Sequence, residues 1–314
     1  MPSESPAVWL TGLVLGAARA LPIAEKQRVA GYISTPKGAA YQVLQPLGNA
    51  EHYNLHGCLL PGDSEQIGVL KIAATTKDND SLDREAMILK MMREKAEEAE
   101  RHASRGGGVR LNYHYFFPQV VDSFICPEQD ERRINILGFP PVIETLSQLS
   151  PLTALRQEGI RADPRTGAWI IGKTLKVLAF AHGQGISNRN ITASNILIER
   201  EQHGVVIFDW TRSKLASPTE TNAPEESEDL RSLGRLATSI LGGDLKTGEL
   251  PKDDQLTDER FQKLIRDLAQ GKFSSAISAY TRFYELIYTL WPREFHPFMA
   301  YSLEPDPQEK INAR

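Results

Sequence analysis

The sequence predicts an α+β fold in which a small strand-rich region precedes a larger, mainly helical one. Two observations carry this. Five short apolar or alternating runs lie between residues 41 and 139, with a single long helical pattern inserted after the third. Beyond residue 140 the apolar spacing changes to that of helices, interrupted by one strand–turn–strand pair. The chain has 314 residues, of which 41% are hydrophobic and 24% charged, so it has an ordinary globular composition and length enough for a substantial core.

Taken in order, residues 1–40 read as a helical and then loop-like extension, with Leu10, Leu13, Val14 and Ala17 at helical spacing. Strands follow at Tyr41–Leu44, His56–Leu60 and Gly68–Ala73, punctuated by Gly48-Asn49 and Pro61-Gly62-Asp63. A helix is expected from about Asp83 to Arg101, and its charged run REKAEEAER reads as a solvated face. Glycines 106–108 end it. Two more strands lie near Phe116–Ile125 and Arg133–Leu137, and Phe139-Pro140-Pro141 breaks the pattern. Asp163-Pro164 is a cap and first-turn pair for a helix that places Ala168, Ile171, Leu175, Leu178 and His182 on one face. Near the C-terminus, Phe283, Leu286, Ile287 and Leu290 recur at helical spacing.

The bulk numbers exclude several classes. A net charge of -4 argues against a nucleic-acid partner recognised by overall basicity. The apolar stretch Val8–Ala18 is too short to span a bilayer, and no Lys or Arg precedes it, so neither stable membrane insertion nor a secretory signal is expected. Two cysteines, Cys58 and Cys126, form no metal-ligand spacing or disulfide framework, which fits a cytoplasmic protein.

The chemistry concentrates in residues 188–211. Asn190 and Asn195 are separated by four residues, a strand-like NILI follows, and after a turn a second apolar run ends in Asp209-Trp210-Thr211. This arrangement resembles the catalytic-loop and metal-loop pair of protein kinases, H-R-D-x-x-x-x-N followed by strand, turn, strand and D-F-G. Further residues extend the resemblance over roughly 41–290. Lys71 in GVLK is similar to the phosphate-holding lysine strand, Glu85 in REAMILK to the helix glutamate that pairs with it, and Asp229-Leu230-Arg231-Ser232-Leu233-Gly234 to the start of a long core helix. Ala223-Pro224-Glu225 matches an A-P-E triplet but lies close before Asp229. Asp163–Trp169 and Trp291–Phe298 are similar to segments of bacterial kinase-like proteins. The resemblance implies a two-lobed kinase-like fold: an N-lobe over 41–139 with five antiparallel strands and one helix, and a helical C-lobe over 140–314. It implies ATP with Mg²⁺ as cofactors, with Lys71, Glu85 and Gly48 toward nucleotide and Asn195 and Asp209 toward metal.

The departures from the family argue against catalysis. Asn190 stands at the catalytic-base position, and an amide carries no charge and is no base near neutral pH. Thr192 stands where a lysine is usual. Of three loop glycines only Gly48 remains, with Tyr53 at the third position and Glu51 bringing negative charge toward the phosphate site. Pro140-Pro141 removes backbone donors from the hinge. Asn195 and Asp209 have a second reading, as groups that order turns without metal. The expectation is a pseudokinase, an interaction or regulatory scaffold with a protein partner and with weak or absent nucleotide binding. The alternative is a divergent ATP-dependent phosphotransferase of the protein-kinase type, ahead of an aminoglycoside- or lipid-kinase-like branch.

Overall fold

Period-two alternation on both sides of the chain's central strand fixes the strand-rich part. In Ile67–Ala73, Val69, Lys71 and Ala73 face a helix, while Leu70 and Ile72 face the opposite side of the sheet, and all five are buried. The computed structural model describes residues 31–61, 66–105, 111–140, 143, 146–217, 223–251 and 258–303. The helix expected within residues 8–18, the turn residues Gly62-Asp63, glycines 106–108 and Pro141 lie outside the described residues.

Strands β1 (Gly31–Ser34), β2 (Ala40–Asn49), β3 (Tyr53–Leu59), β4 (Ile67–Ala73), β5 (Gln119–Cys126) and β6 (Arg132–Gly138) form one antiparallel sheet in the order β1-β2-β3-β4-β6-β5. Helix α1 (Asn79–Arg105) follows β4 and buries Leu82, Glu85, Ala86, Ile88, Leu89, Met92 and Ala96. The other face of the sheet has its own core, built on Tyr41, Val43, Cys58, Leu70, Ile72, Phe124, Ile134 and Ile136. Both cysteines are buried and unpaired.

Two expectations are corrected. The sheet has six strands rather than five, and it begins at Gly31 rather than at residue 41. The additional strand carries Ile33 inward and Tyr32 outward, an alternation over four residues, which is too short to register as a period. A turn closed by Thr35 N–H to the Ala39 carbonyl (2.7 Å) and Gly38 N–H to the Thr35 carbonyl (2.9 Å) returns the chain into β2.

The remainder is mainly helical, so the architecture is mixed α+β. After β7 (Leu149–Pro151), α2 (Thr153–Gln157) and β8 (Ile160–Ala162) comes α3 (Pro164–Gly183), with Ala168, Ile171, Leu175 and Leu178 buried as the spacing predicts. β9 (Ile186–Ser187), β10 (Ile196–Glu199), β11 (Gly204–Ile207) and β12 (Lys214–Leu215) are short strands; β10 pairs with both β11 and β7. Helices α4 (Ala223–Ile240), α5 (Glu259–Ala269) and α6 (Ala276–Leu290) complete the part before β13 (Ala300–Ser302). Ala223-Pro224-Glu225 forms the first turn of the same helix that carries Asp229. Gly234 is where that helix meets α5: an added Cβ would lie 2.1 Å from the Ala269 nitrogen. Among the described residues, no helix is long and apolar enough to cross a membrane.

The segments Asp163–Trp169 and Trp291–Phe298 meet in space. The Asp163 carboxylate caps α3, accepting from Arg165 N–H at 2.9 Å and Thr166 N–H at 3.2 Å, and it also lies 3.1 and 3.2 Å from His296 Nε2. His203 is stacked between Trp169 and Phe295, at 4.6 and 4.5 Å between ring centres. Asp163→Ala is expected to cost about 0.5–2 kcal/mol as a lost cap and to loosen the C-terminal segment with it. Urea unfolding together with limited proteolysis near Phe295 checks both effects.

Candidate functional site

The sheet register places most of the site in one row. Gly48 pairs with Leu55, Leu55 with Lys71, Lys71 with Asn135, and Asn135 with Ser123. Gly48 therefore shares a row with Lys71 but stands two strands away, roughly 10 Å at the usual strand spacing. Helix α1 lays Glu85 over this row. Lys71 Nζ donates to Glu85 Oε1 at 2.6 Å, and both residues are 0% exposed. Trp210 N–H donates to the same oxygen at 3.2 Å, and Asn135 Nδ2 donates to Glu85 Oε2 at 3.2 Å and to the Leu82 carbonyl at 2.8 Å. Ser123 Oγ in turn donates to Asn135 Oδ1 at 2.8 Å. Both oxygens of Glu85 are thereby satisfied away from water, as a buried carboxylate requires.

Aromatic rings close over the lysine. Its Nζ lies 4.2 Å from the Tyr53 ring centre and 4.3 Å from that of Phe208. Burial alone would push the Lys71 ammonium down; the Glu85 charge, helped by Tyr53 and Asp209, outweighs it and holds the group above its ordinary range. For Glu85, burial pushes the carboxyl up and the Lys71 charge pulls it back. Burial raises the Tyr53 phenol as well.

The second half of the site comes from the loop after β9 and from the end of β11. Asp229, from α4, accepts from Asn188 N–H at 2.8 Å and Arg189 N–H at 2.7 Å, and it lies 3.0 Å from His182 Nε2. These bonds hold Arg189 at φ 61, in the left-handed region that a non-glycine residue occupies only when its surroundings impose it. Asn188 Nδ2 donates to the Asp209 carbonyl at 3.0 Å, which ties the loop to the segment after β11.

Asp209 is where the two halves meet. Its Oδ1 accepts from Thr211 Oγ1 at 2.9 Å, from Thr211 N–H at 3.1 Å and from Lys71 Nζ at 3.4 Å. Its Oδ2 accepts from Asn190 Nδ2 at 2.8 Å. An ionised carboxylate only accepts, so the Asn190 amide must present its NH₂ here. Burial opposes ionisation of Asp209, but the Lys71 charge and the Thr211 hydrogen bonds prevail and hold its carboxyl below the ordinary range. Asn195 Nδ2 donates to the Asn190 carbonyl at 3.3 Å, and Phe208 N–H to the Asn195 carbonyl at 2.8 Å. Among the described residues, no three His, Cys, Asp or Glu side chains are grouped as metal ligands.

The structure thus brings Lys71, Glu85, Asp209, Asn190 and Asn195 into one connected network and leaves Gly48 outside it. Sequence reasoning missed Asn135, Asn188 and Thr211. Asn135 had a legible signal: it is a lone amide inside the apolar run Ile134–Leu137, where an unpaired polar group would be costly. At the strand end, Phe139 stacks on Phe208 at 6.1 Å, and the Pro140 carbonyl accepts from Ile143 N–H at 2.9 Å. No protein-family model and no curated protein matches this chain.

Proposed function

We propose that the chain is a pseudokinase, a two-lobed kinase-like fold whose ancestral site has become a structural network and which acts as an interaction or regulatory scaffold for a protein partner. The observation that carries this reading is the state of Asp209. A magnesium ion needs carboxylate oxygens with free lone pairs and near-octahedral geometry. Here Oδ1 takes three donors and Oδ2 takes the Asn190 amide, which leaves Asp209 a single open lone pair and makes the site a poor one for the ion unless these bonds give way. Asn190 spends its amide on Asp209 instead of facing an acceptor hydroxyl, and it has no proton-accepting charge.

One observation favours the second reading, a divergent ATP-dependent phosphotransferase: the Lys71–Glu85 pair that kinases require is intact. Titration of the protein with ATP, with and without Mg²⁺ or Mn²⁺, separates the two. Affinity no tighter than the millimolar range, with no autophosphorylation, is expected. Sub-micromolar ATP binding or steady turnover in the unmodified protein overturns the pseudokinase reading and establishes the alternative.

A further inference from the structure

Helices α5 and α6, with the loop between them, flank a groove of about 530 Å³ that shares no residue with the network around Asp209. Its floor is apolar: Leu264 of α5 is buried, and Phe273 and Leu286 are partly buried against the core. Its rim is charged and unbalanced. Among the described residues, four cations, Arg260, Lys263, Lys272 and Arg282, stand against two carboxylates, Asp267 and Glu285, an excess of two positive charges on a chain whose net charge is -4. The loop fixes one end of this rim. Gly271 turns the chain at φ 70, and Lys272 N–H donates to the Asp267 carbonyl at 3.0 Å. Lys272 Nζ donates to the Asp267 carboxylate at 2.8 Å, and Lys263, one turn back along α5, donates to the same carboxylate. Two ammonium groups thus share one carboxylate, and each carries three donors. The side chains of Lys263 and Arg282 are 70% exposed, so a carboxylate from outside can reach them.

We infer that this groove docks an acidic linear segment of a partner protein, with a large apolar side chain over Leu264, Phe273 and Leu286 and carboxylates on either side taken by Lys263, Lys272 and Arg282. The inference gives the scaffold reading its class of partner and rests on it in that respect; the groove itself is independent of what the cleft binds. Charge complementarity and the apolar floor select the occupant together. The exposed cations steer an acidic segment and set its register, and the apolar contact holds it. A strand of nucleic acid fits less well. Its phosphates repeat without a gap, and Asp267 and Glu285 would stand in their path. Of the floor residues, Phe273 alone offers a ring on which a base could stack. Carboxylates on a peptide can be spaced to avoid the two acids and to meet the cations.

The test is selection of short random peptides displayed on phage against the full chain, followed by fluorescence anisotropy of the enriched peptides. Enriched sequences are expected to carry a large apolar residue flanked by Asp or Glu, to bind with a Kd on the order of micromolar and to weaken as salt rises. Lys263→Glu/Arg282→Glu reverses two exposed cations, leaves Lys272 on Asp267, and is expected to weaken binding by roughly tenfold or more. Lys90→Glu/Lys95→Glu makes the same change of net charge on exposed positions of α1 and is expected to leave binding within about twofold. Failure to enrich acidic peptides with an apolar anchor overturns the inference, and so does equal weakening in both variants. If the reversed protein does not fold, Lys263→Gln/Arg282→Gln removes the charges without adding any, and severalfold weaker binding is required of it. A single-stranded oligonucleotide bound more tightly than the peptides, and lost in the groove variant, makes the occupant a nucleic acid. A parent that dimerises, with the dimer lost in that variant, makes it a second copy of this chain. Either result overturns the inference. ATP turnover in the unmodified protein would sink the pseudokinase reading and leave these comparisons standing, whereas enriched peptides indifferent to the groove variant would sink the docking surface alone.

Discussion

Replacing Glu85 by alanine lowers the unfolding free energy by about 3–5 kcal/mol, the usual cost of breaking a buried pair from one side. The loss comes from what stays behind. Lys71 keeps its ammonium, fully enclosed, with Asp209 at 3.4 Å as its remaining carboxylate. Trp210 N–H and one N–H of Asn135 lose their acceptor in the same step. Each unsatisfied buried group costs roughly 1–3 kcal/mol. Lys71→Met costs less, because an unbranched apolar chain can sit between the Tyr53 and Phe208 rings in place of the lysine stem. The double variant Lys71→Met/Glu85→Leu removes both charges and recovers part of the loss, which a double-mutant cycle in urea reads as coupling. A Glu85→Ala protein within about 1 kcal/mol of the parent would mean that water reaches this pair, in conflict with its burial.

Residues that interact along the chain or at helical and strand periods are legible in the sequence, and those joined only by tertiary register are not. The helix expected from about Asp83, which the structure begins at Asn79, the Asp163 cap and the strands around Lys71 follow from period and punctuation. Lys71 and Glu85 are paired through motif resemblance, and the structure brings their charged ends to 2.6 Å. Strand β1 escapes because four residues contain too little alternation, and its existence depends on a turn closed by Thr35. Asn135 is visible as a lone amide in an apolar run, but its partner is not, because that depends on the register between β4 and β6, which no local pattern encodes. Thr211 escapes because its hydroxyl acts on a side chain two residues away, an arrangement that Ser and Thr adopt in many loops. The aromatic cover of Lys71 is half visible. Tyr53 stands out at a glycine position, whereas Phe208 reads only as part of an apolar run. The packing that brings Tyr53 from β3 and Phe208 from the end of β11 to one ammonium is a property of the folded chain.

Asn190→Asp is expected to destabilise the protein and to leave it inactive. Under the proposed reading the substitution supplies the carboxylate of the kinase motif that the loop resembles, but here it arrives against another carboxylate. The amide it replaces donates to Asp209 Oδ2 at 2.8 Å, so two acceptors would face each other across a hydrogen-bond distance. With an effective dielectric near 20, two like charges about 4 Å apart repel by up to roughly 4 kcal/mol. The pair relieves this by sharing a proton or by rotating the introduced carboxylate away, and the dyad then titrates as a unit with one step raised. Destabilisation should therefore be largest at neutral pH and shrink as pH falls toward about 5, where the shared proton is held. The sign is that of a carboxyl raised in the folded state: the unfolded chain loses its proton more readily, so stability falls as pH rises. Two close carboxylates also offer what the parent lacks, oxygens that gain from a divalent cation. Mg²⁺ or Mn²⁺ should recover part of the lost stability in the variant and leave the parent's melting temperature unchanged. Turnover should stay flat, short of the ~10²–10⁴-fold that a general base alone supplies. Tyr53 still covers Lys71, and Thr211 still holds Asp209, so an added base would act beside groups that remain engaged with each other. Melting curves across pH with and without divalent cation, beside an ATP-turnover assay, decide the matter. Robust activity in the Asn190→Asp protein would show that the network around Asp209 yields to nucleotide and metal, and the argument from its engaged oxygens would fail.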